Sequence, residues 1–211
     1  MSPAQADKPV VAAFDFDGTL TRRDTLLPFL LYLLGVAEVA RHALVLSPTL
    51  VGYGLNLIPN DVAKERVLSQ CLTGMEMDAL RQEGERFAAL ALPHLLRHEA
   101  LQRLAWHQQQ GHRCVVISAS LDLYVRPWAQ QAGFNDIIAT HLEVRQDGRI
   151  TGKLAGKNCF GAEKARRLQA LLGARDGYVL YAYGDSRGDK ELLSLADHAY
   201  FRRMPASESG T

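Results

Sequence analysis

Val10–Phe14 is an unbroken apolar run that stops abruptly at Asp15-Phe16-Asp17-Gly18. A short run without polar alternates predicts a strand buried on both faces, and the Asp-Gly that follows predicts a turn. From Thr25 the spacing becomes helical: Asp24 or Thr25 stands where an N-cap belongs, Pro28 falls in the first turn, and leucines recur to Leu34. Asn60 or Asp61 is placed to cap a second helix through about Leu72, which Gly74 ends, and a third runs from about Glu76 to Leu90, before Pro93. Residues 22–95 therefore read as a helical block.

Beyond it the pattern alternates. A helix over Arg97–Gln110 is closed by Gly111, a buried strand over Arg113–Ile117 ends at Ser118, and a helix over Leu121–Ala132, kinked or opened near Pro127, is closed by Gly133. Ile137–Thr140 and Tyr178–Tyr183 read as further strands with a helix over about Gly161–Leu172 between them. A short helix follows Gly188, and Ala199–Phe201 reads as an edge strand. Alternation on either side of Asp147-Gly148, between Leu142 and Leu154, predicts a hairpin outside the sheet. Strand and helix in turn predict an α/β fold, a doubly wound parallel sheet covered on both faces, with the helical block inserted directly after the first strand. The corresponding domain division is 1–21 with 96–211 as the core and 22–95 as the insert.

The 211 residues are enough for one domain carrying a sizeable insert, and 47% hydrophobic with 22% charged residues is the composition of a folded globular chain. A net charge of +1 supplies no basic excess for a nucleic-acid backbone. Cys71, Cys114 and Cys159 are odd in number and widely spaced, so neither a disulfide framework nor a zinc site is expected and a reducing cytoplasm fits best. Met1–Pro9 lacks the basic start and apolar run of a signal peptide. Leu26–Ile58 is apolar, but Glu38, Arg41 and His42 interrupt it and Pro48, Gly52 and Gly54 are expected to break its second half, leaving no run of the length a membrane span needs.

In open α/β sheets ligands gather at the C-terminal ends of the strands. Three polar clusters fall there: Asp15-Phe16-Asp17-Gly18-Thr19, Ser118, and Gly184-Asp185-Ser186-Arg187-Gly188-Asp189. Lys164, early in the preceding helix, is placed to reach the same crevice. Four carboxylates on one spot repel each other unless a cation lies among them, and hard oxygen ligands favour Mg²⁺.

These clusters resemble the four motifs of the haloacid dehalogenase-like (HAD) superfamily of phosphatases. Asp15 and Asp17 match D-x-D-x-T, Ser118 the second-motif hydroxyl, Lys164 the third-motif lysine, and Asp185 with Asp189 the closing G-D-x-x-x-D acids. The insert between the first two motifs is similar to the C1 helical cap of subfamily IB, the group of phosphoserine phosphatase and some lipid-phosphate phosphatases. The resemblance implies a Mg²⁺-dependent phosphomonoesterase in which Asp15 attacks phosphorus and Asp17 serves as acid and then base. Thr19, Ser118, adjacent Ala119 and Lys164 would hold phosphate, with Thr19 also supporting the turn through its hydroxyl. Asp15, Asp17 (by its backbone carbonyl), Asp185 and Asp189 would form the metal site, Asp189 as an orienting group. Phosphoserine phosphatases place a Glu after the first motif and an Arg in the cap; Asp24 stands near the former position, and Lys64 and Arg66 are the cap candidates for the latter.

Other readings are weaker on the same residues. Asp-Phe-Asp-Gly lacks the third acid and closing Glu of a calcium-binding EF-hand loop. Gly184-Asp185-Ser186-Arg187-Gly188 satisfies the G-x-S-x-G of a serine-hydrolase elbow, with Ser186 as nucleophile, but too little chain follows to deliver the acid and histidine. A non-catalytic phospho-receiver has no use for Asp17 or the insert. The expected substrate is a small-molecule phosphate, with a lipid phosphate such as phosphatidylglycerophosphate as the alternative. Ala43–Ile58, almost wholly apolar, is left to line a pocket, to form a homodimer contact or to make a weak contact with a membrane surface.

Overall fold

The computed structural model describes residues 8–205. Five parallel strands form the sheet in the order β3-β2-β1-β6-β7: β1 Val10–Phe14, β2 Arg113–Leu121, β3 Asp136–Thr140, β6 Val179–Gly184 and β7 His198–Phe201. β4 (Leu142–Val144) and β5 (Ile150–Leu154) make a separate antiparallel pair, the hairpin expected outside the sheet. The central strand β1 is paired on both sides, Phe14 standing level with Val116 and with Tyr183. Alternate side chains of β1 enter opposite cores: Ala12 and Phe14 one, Val11 and Ala13 the other.

Helices α4 (His98–Gln109) and α5 (Asp122–Gln131) cover the first face, and α6 (Ala162–Leu172) and α7 (Lys190–Leu195) contribute to the second. The expected doubly wound α/β architecture is thus the observed one. β2 runs four residues past the expected Ile117, its pairing with β3 shifting register between Ile117 and Leu121. α5 continues through Pro127 to Gln131.

Between β1 and β2 lie α1 (Leu26–Gly54), α2 (Asn60–Leu72) and α3 (Met77–Leu90). The chain leaves and returns at one place, where Thr21 bridges Leu96, Arg22 N–H donates to Leu95 O at 2.8 Å and Arg97 N–H to Leu20 O at 2.9 Å. Phe29 of α1, Phe87 of α3 and Tyr124 of α5 form a ring cluster with centroids 5.0–5.3 Å apart, tying the block to the sheet's helices. Gly84 lets α3 close on α5, since a Cβ there would lie 2.5 Å from Leu123 O.

The second half of α1 corrects the sequence reading. Pro48 does not break it: the helix continues to Gly54, and the Leu44 carbonyl that Pro48 leaves without an N–H partner accepts the Ser47 hydroxyl at 2.8 Å. The interruption is at Gly35, whose φ of 79° and ψ of 166° leave helical space. By length and composition α1 is sufficient to cross a membrane, with a mean hydropathy of 1.7 in its most apolar stretch, of which 22% is buried.

Candidate active site

β1 delivers Asp15 to the C-terminal edge of the sheet, where its N–H is held by Tyr183 O at 2.9 Å. The next five residues form a tight turn. Gly18 takes φ 75°, and a Cβ on it would lie 2.5 Å from Asp185 Cγ, so only glycine lets the first loop approach the last. The hydroxyl supporting this turn is that of Thr21, which lies 3.2 Å from Phe16 O and 2.8 Å from Arg23 O and accepts from Gly18 N–H at 3.3 Å. The expectation that Thr19 does this is wrong: Thr19 Oγ1 is buried and has no protein partner. Thr21 reaches back across the turn, whereas Thr19 is within it.

Lys164, buried at the start of α6, donates to Asp15 and, at 2.6 Å, to Asp189 Oδ1. Asp189 is fully engaged, its other oxygen accepting from the backbone N–H groups of Asp185 at 3.2 Å and Ser186 at 3.0 Å and from Ser186 Oγ at 2.9 Å. Burial works against the Lys164 ammonium, but Asp15 and Asp189 outweigh it and hold its pKa above the ordinary lysine range. Asp15 is itself pushed up to about 8, chiefly by burial and against the pull of Lys164.

Carboxylate oxygens of Asp15, Asp185 and Asp189 lie within 4.8 Å of one another, and Asp185 Oδ1 is buried without a partner. Burial also raises the Asp185 pKa. Three hard oxygen donors, one of them orphaned, fit a small divalent cation.

The Asp17 carboxylate points elsewhere. One oxygen accepts from Thr25 N–H at 3.0 Å and Thr25 Oγ1 at 2.6 Å, and the other from Ser120. Tyr124 Oη stands 3.2 Å from Thr25 Oγ1. The Asp17 side chain therefore lies outside the three-acid cluster. Burial and the charge of Asp24 raise the Asp17 pKa to about 6. Thr25 occupies the N-cap position of α1 but places no side-chain cap there; its hydroxyl goes to Asp17 instead.

Ser118 Oγ is buried and accepts from Ser120 N–H at 2.9 Å. From α2, Lys64 donates to Ala119 O and to Asn158 Oδ1 at 3.3 Å, and burial brings its pKa down to about 8 against the pull of Asp17 and Asp24. Asn158 is fixed by Thr140 Oγ1 at 3.0 Å and donates to Asn60 Oδ1 at 2.8 Å. Asp24 accepts from Leu26 N–H at 2.9 Å and lines the same cavity as Lys64. Arg66 is not brought to the site: it is exposed, and its guanidinium bonds Thr49 of α1 at 3.2 Å, because residues two apart on a helix face different ways.

The sequence reading missed Thr25, Ser120, Tyr124 and Asn158. Ser120 carried a signal, since a hydroxyl two residues beyond Ser118 in extended chain projects to the same side. Thr25 bonds Asp17 from eight residues on, where the chain turns back before α1, and Tyr124 and Asn158 depend on contacts between distant segments. Ser186, the rival nucleophile, caps a short turn with its hydroxyl on Asp189 and Gly188 N–H; no imidazole is among its bonded partners.

The haloacid dehalogenase-like hydrolase profile matches residues 12–194, and the chain belongs to this family. It is similar to protein CicA of Caulobacter vibrioides, with 35% identity over 209 residues, 98% of this chain and 93% of that one. It is 28% identical over 195 residues to a histidinol-phosphatase of Neisseria meningitidis serogroup C, covering 88% of this chain and 86% of the relative. Among solved structures, a phosphoserine phosphohydrolase-like protein of Francisella tularensis shares the fold, with a TM-score of 0.66 and 18% identity over 91% of this chain and 85% of the other. The chain is a hydrolase of the HAD family, and its fold is that of phosphoserine phosphatase-like structures.

Proposed function

We propose that this protein is a Mg²⁺-dependent phosphomonoesterase that works through an aspartyl-phosphate on Asp15, with residues 22–95 acting as a cap over the core of residues 1–21 and 96–211. The observation that carries this reading is the division of labour between two aspartates two residues apart. Asp15 is tied to Lys164 beside Asp185 and Asp189, while Asp17 is turned away into a hydroxyl cage of Thr25 and Ser120. A nucleophile and a proton carrier need such different surroundings.

In the first half-reaction an Asp15 oxygen forms a bond to phosphorus as the bond to the leaving oxygen breaks, and Asp17 supplies that oxygen with its proton. In the second, Asp17 takes a proton from water as the water attacks phosphorus and releases Asp15 and inorganic phosphate. Lys164 offsets the charge of nucleophile and phosphoryl group, and the free Thr19 hydroxyl with Ser118 and Ala119 contributes to phosphate binding. Asp15 and Asp185, with the Asp17 carbonyl, would hold Mg²⁺, which when bound neutralises phosphate charge; Asp189 positions Lys164 and the Asp185 backbone.

The similarity to a histidinol-phosphatase supports a phosphate monoester as the substrate class. Asp24 and Lys64 stand beside Asp17 as its cap-side polar contacts, but no cap arginine joins them, which departs from a phosphoserine site. Hydrolysis of an aryl phosphate in Mg²⁺, its loss in EDTA and its recovery on adding Mg²⁺ back test the reading. Asp15→Asn should reduce turnover by several orders of magnitude; undiminished turnover in chelator would remove the metal from the scheme.

A further inference from the structure

We propose that the phosphate monoester taken by this site carries an apolar chain on its leaving oxygen and is drawn from a lipid bilayer onto which the outward face of α1 docks. This rests on the phosphatase reading above. A cavity of about 470 Å³ adjoins Asp17 and Ser120. Because Asp17 protonates the leaving oxygen, the group borne by that oxygen must occupy this cavity. Asp24, Asn60 and Lys64 supply polar groups to the cavity near Asp17, and beyond them Leu30, Val39, Ala43, Leu46 and Val67 line it. His42 and Tyr53 also reach the lining, and each is already engaged, the imidazole with Gln70 at 3.1 Å and the phenol with Asn60 at 3.0 Å. Such a wall offers an amino-acid or sugar moiety few partners for its polar groups, whereas it takes a hydrocarbon chain without loss.

The same helix is apolar outside. Val39, Ala43, Leu46 and Leu50 recur at helical spacing on the cavity side. Val36, Leu44, Val45 and Val51 are 60–77% exposed, as are Leu55 and Leu57 just beyond the helix end. The only Asp, Glu, Lys or Arg residues of α1 are Glu38 and Arg41, and they neutralise each other at 2.6 Å. Leu27 and Leu50, which line the cavity, are themselves 54% and 44% exposed, so lumen and outer face are continuous. A second protein chain would account for the outer face alone. An acyl chain passing from a bilayer into the cavity accounts for both, and the apolar patch is of the kind that marks lipid contact.

The test compares n-alkyl phosphates of two to twelve carbons, kept monomeric, with phosphoserine, and phosphatidic acid in phosphatidylcholine vesicles. The specificity constant should rise about threefold to fourfold for each early methylene, by at least a hundredfold in all, and then level off. Ala43→Trp, at an exposed position on the cavity wall, should move that plateau to shorter chains. Val45→Glu with Leu57→Glu should lower the ratio of vesicle turnover to monomeric dodecyl phosphate turnover at least tenfold. A flat chain-length profile, or phosphoserine as the better substrate, with Mg²⁺-dependent aryl phosphate hydrolysis intact would overturn this proposal alone. Loss of aryl phosphate hydrolysis from the unaltered protein would overturn the phosphatase reading and this proposal with it. A dimer in solution that the two Glu substitutions dissociate, with no fall in the vesicle ratio, would assign the face to a second copy and overturn the docking.

Discussion

Gly18 sits against Asp185 so closely that a Cβ on the glycine would stand 2.5 Å from the carboxyl carbon. The contact joins the loop after β1 to the loop after β6, and Asp185 brings the orphaned oxygen to the three-acid cluster. Gly18→Ala adds both a clash and a side chain at φ 75°. It should cost at least a hundredfold in turnover with a modest fall in melting temperature, because the strain is local to the site. An enzyme of ordinary activity would show that this approach is not required.

Ser120 and Thr25 act on Asp17 rather than on phosphate. Ser120→Ala should therefore lower kcat for an alkyl phosphate, whose leaving oxygen needs a proton, by about tenfold to a hundredfold, and for an aryl phosphate much less. The ratio of the two rates is the measurement. Equal losses on both substrates would point to phosphate binding instead.

Ser186→Ala removes a hydroxyl from Asp189 but leaves the two backbone N–H groups and Lys164 that hold it. Turnover should stay within about tenfold of the unaltered protein, in contrast to Asp15→Asn. The opposite ranking in a steady-state assay would favour the serine elbow.

Away from the site, His107 is completely buried, with Nε2 2.8 Å from Tyr183 Oη and Nδ1 2.8 Å from His112 Nδ1. Burial, then the charge of Arg103, brings its pKa down to about 3 from an ordinary 6.5. The unfolded chain thus binds a proton that the folded chain refuses, and stability falls as pH drops below 6.5, by about 1.4 kcal/mol per unit, until about pH 3. Asp15 and Asp17, raised to about 8 and about 6, contribute in the opposite sense over this range, so the His107 share is read as the difference in slope between the unaltered protein and His107→Phe in urea unfolding from pH 7 to pH 4.5. An unchanged slope in the variant would assign the acid sensitivity to carboxylates.

The alternation of apolar runs with amphipathic segments was sufficient for the α/β class, the hairpin outside the sheet and the helical insert, because burial on two faces imposes its period locally. That Asp15, Asp185 and Asp189 meet was legible because strand ends in a parallel sheet converge on one edge, with Lys164 at the start of a neighbouring helix placed to reach them; the roles proposed for these residues, and for Asp17 and Ser118, came from the family resemblance. What the chain alone did not disclose depends on distance in sequence. Ser120 meets Asp17 across 103 positions where β2 pairs with β1, and Thr25 stands near Tyr124 across 99 where the insert packs on α5. Pro48 argued locally for a break, yet the Ser47 hydroxyl satisfies the carbonyl it leaves and the helix persists. That persistence sets one side of α1 along the cavity beside Asp17 and leaves the other apolar and exposed, a division between lumen and surface that hydropathy along a single chain does not contain.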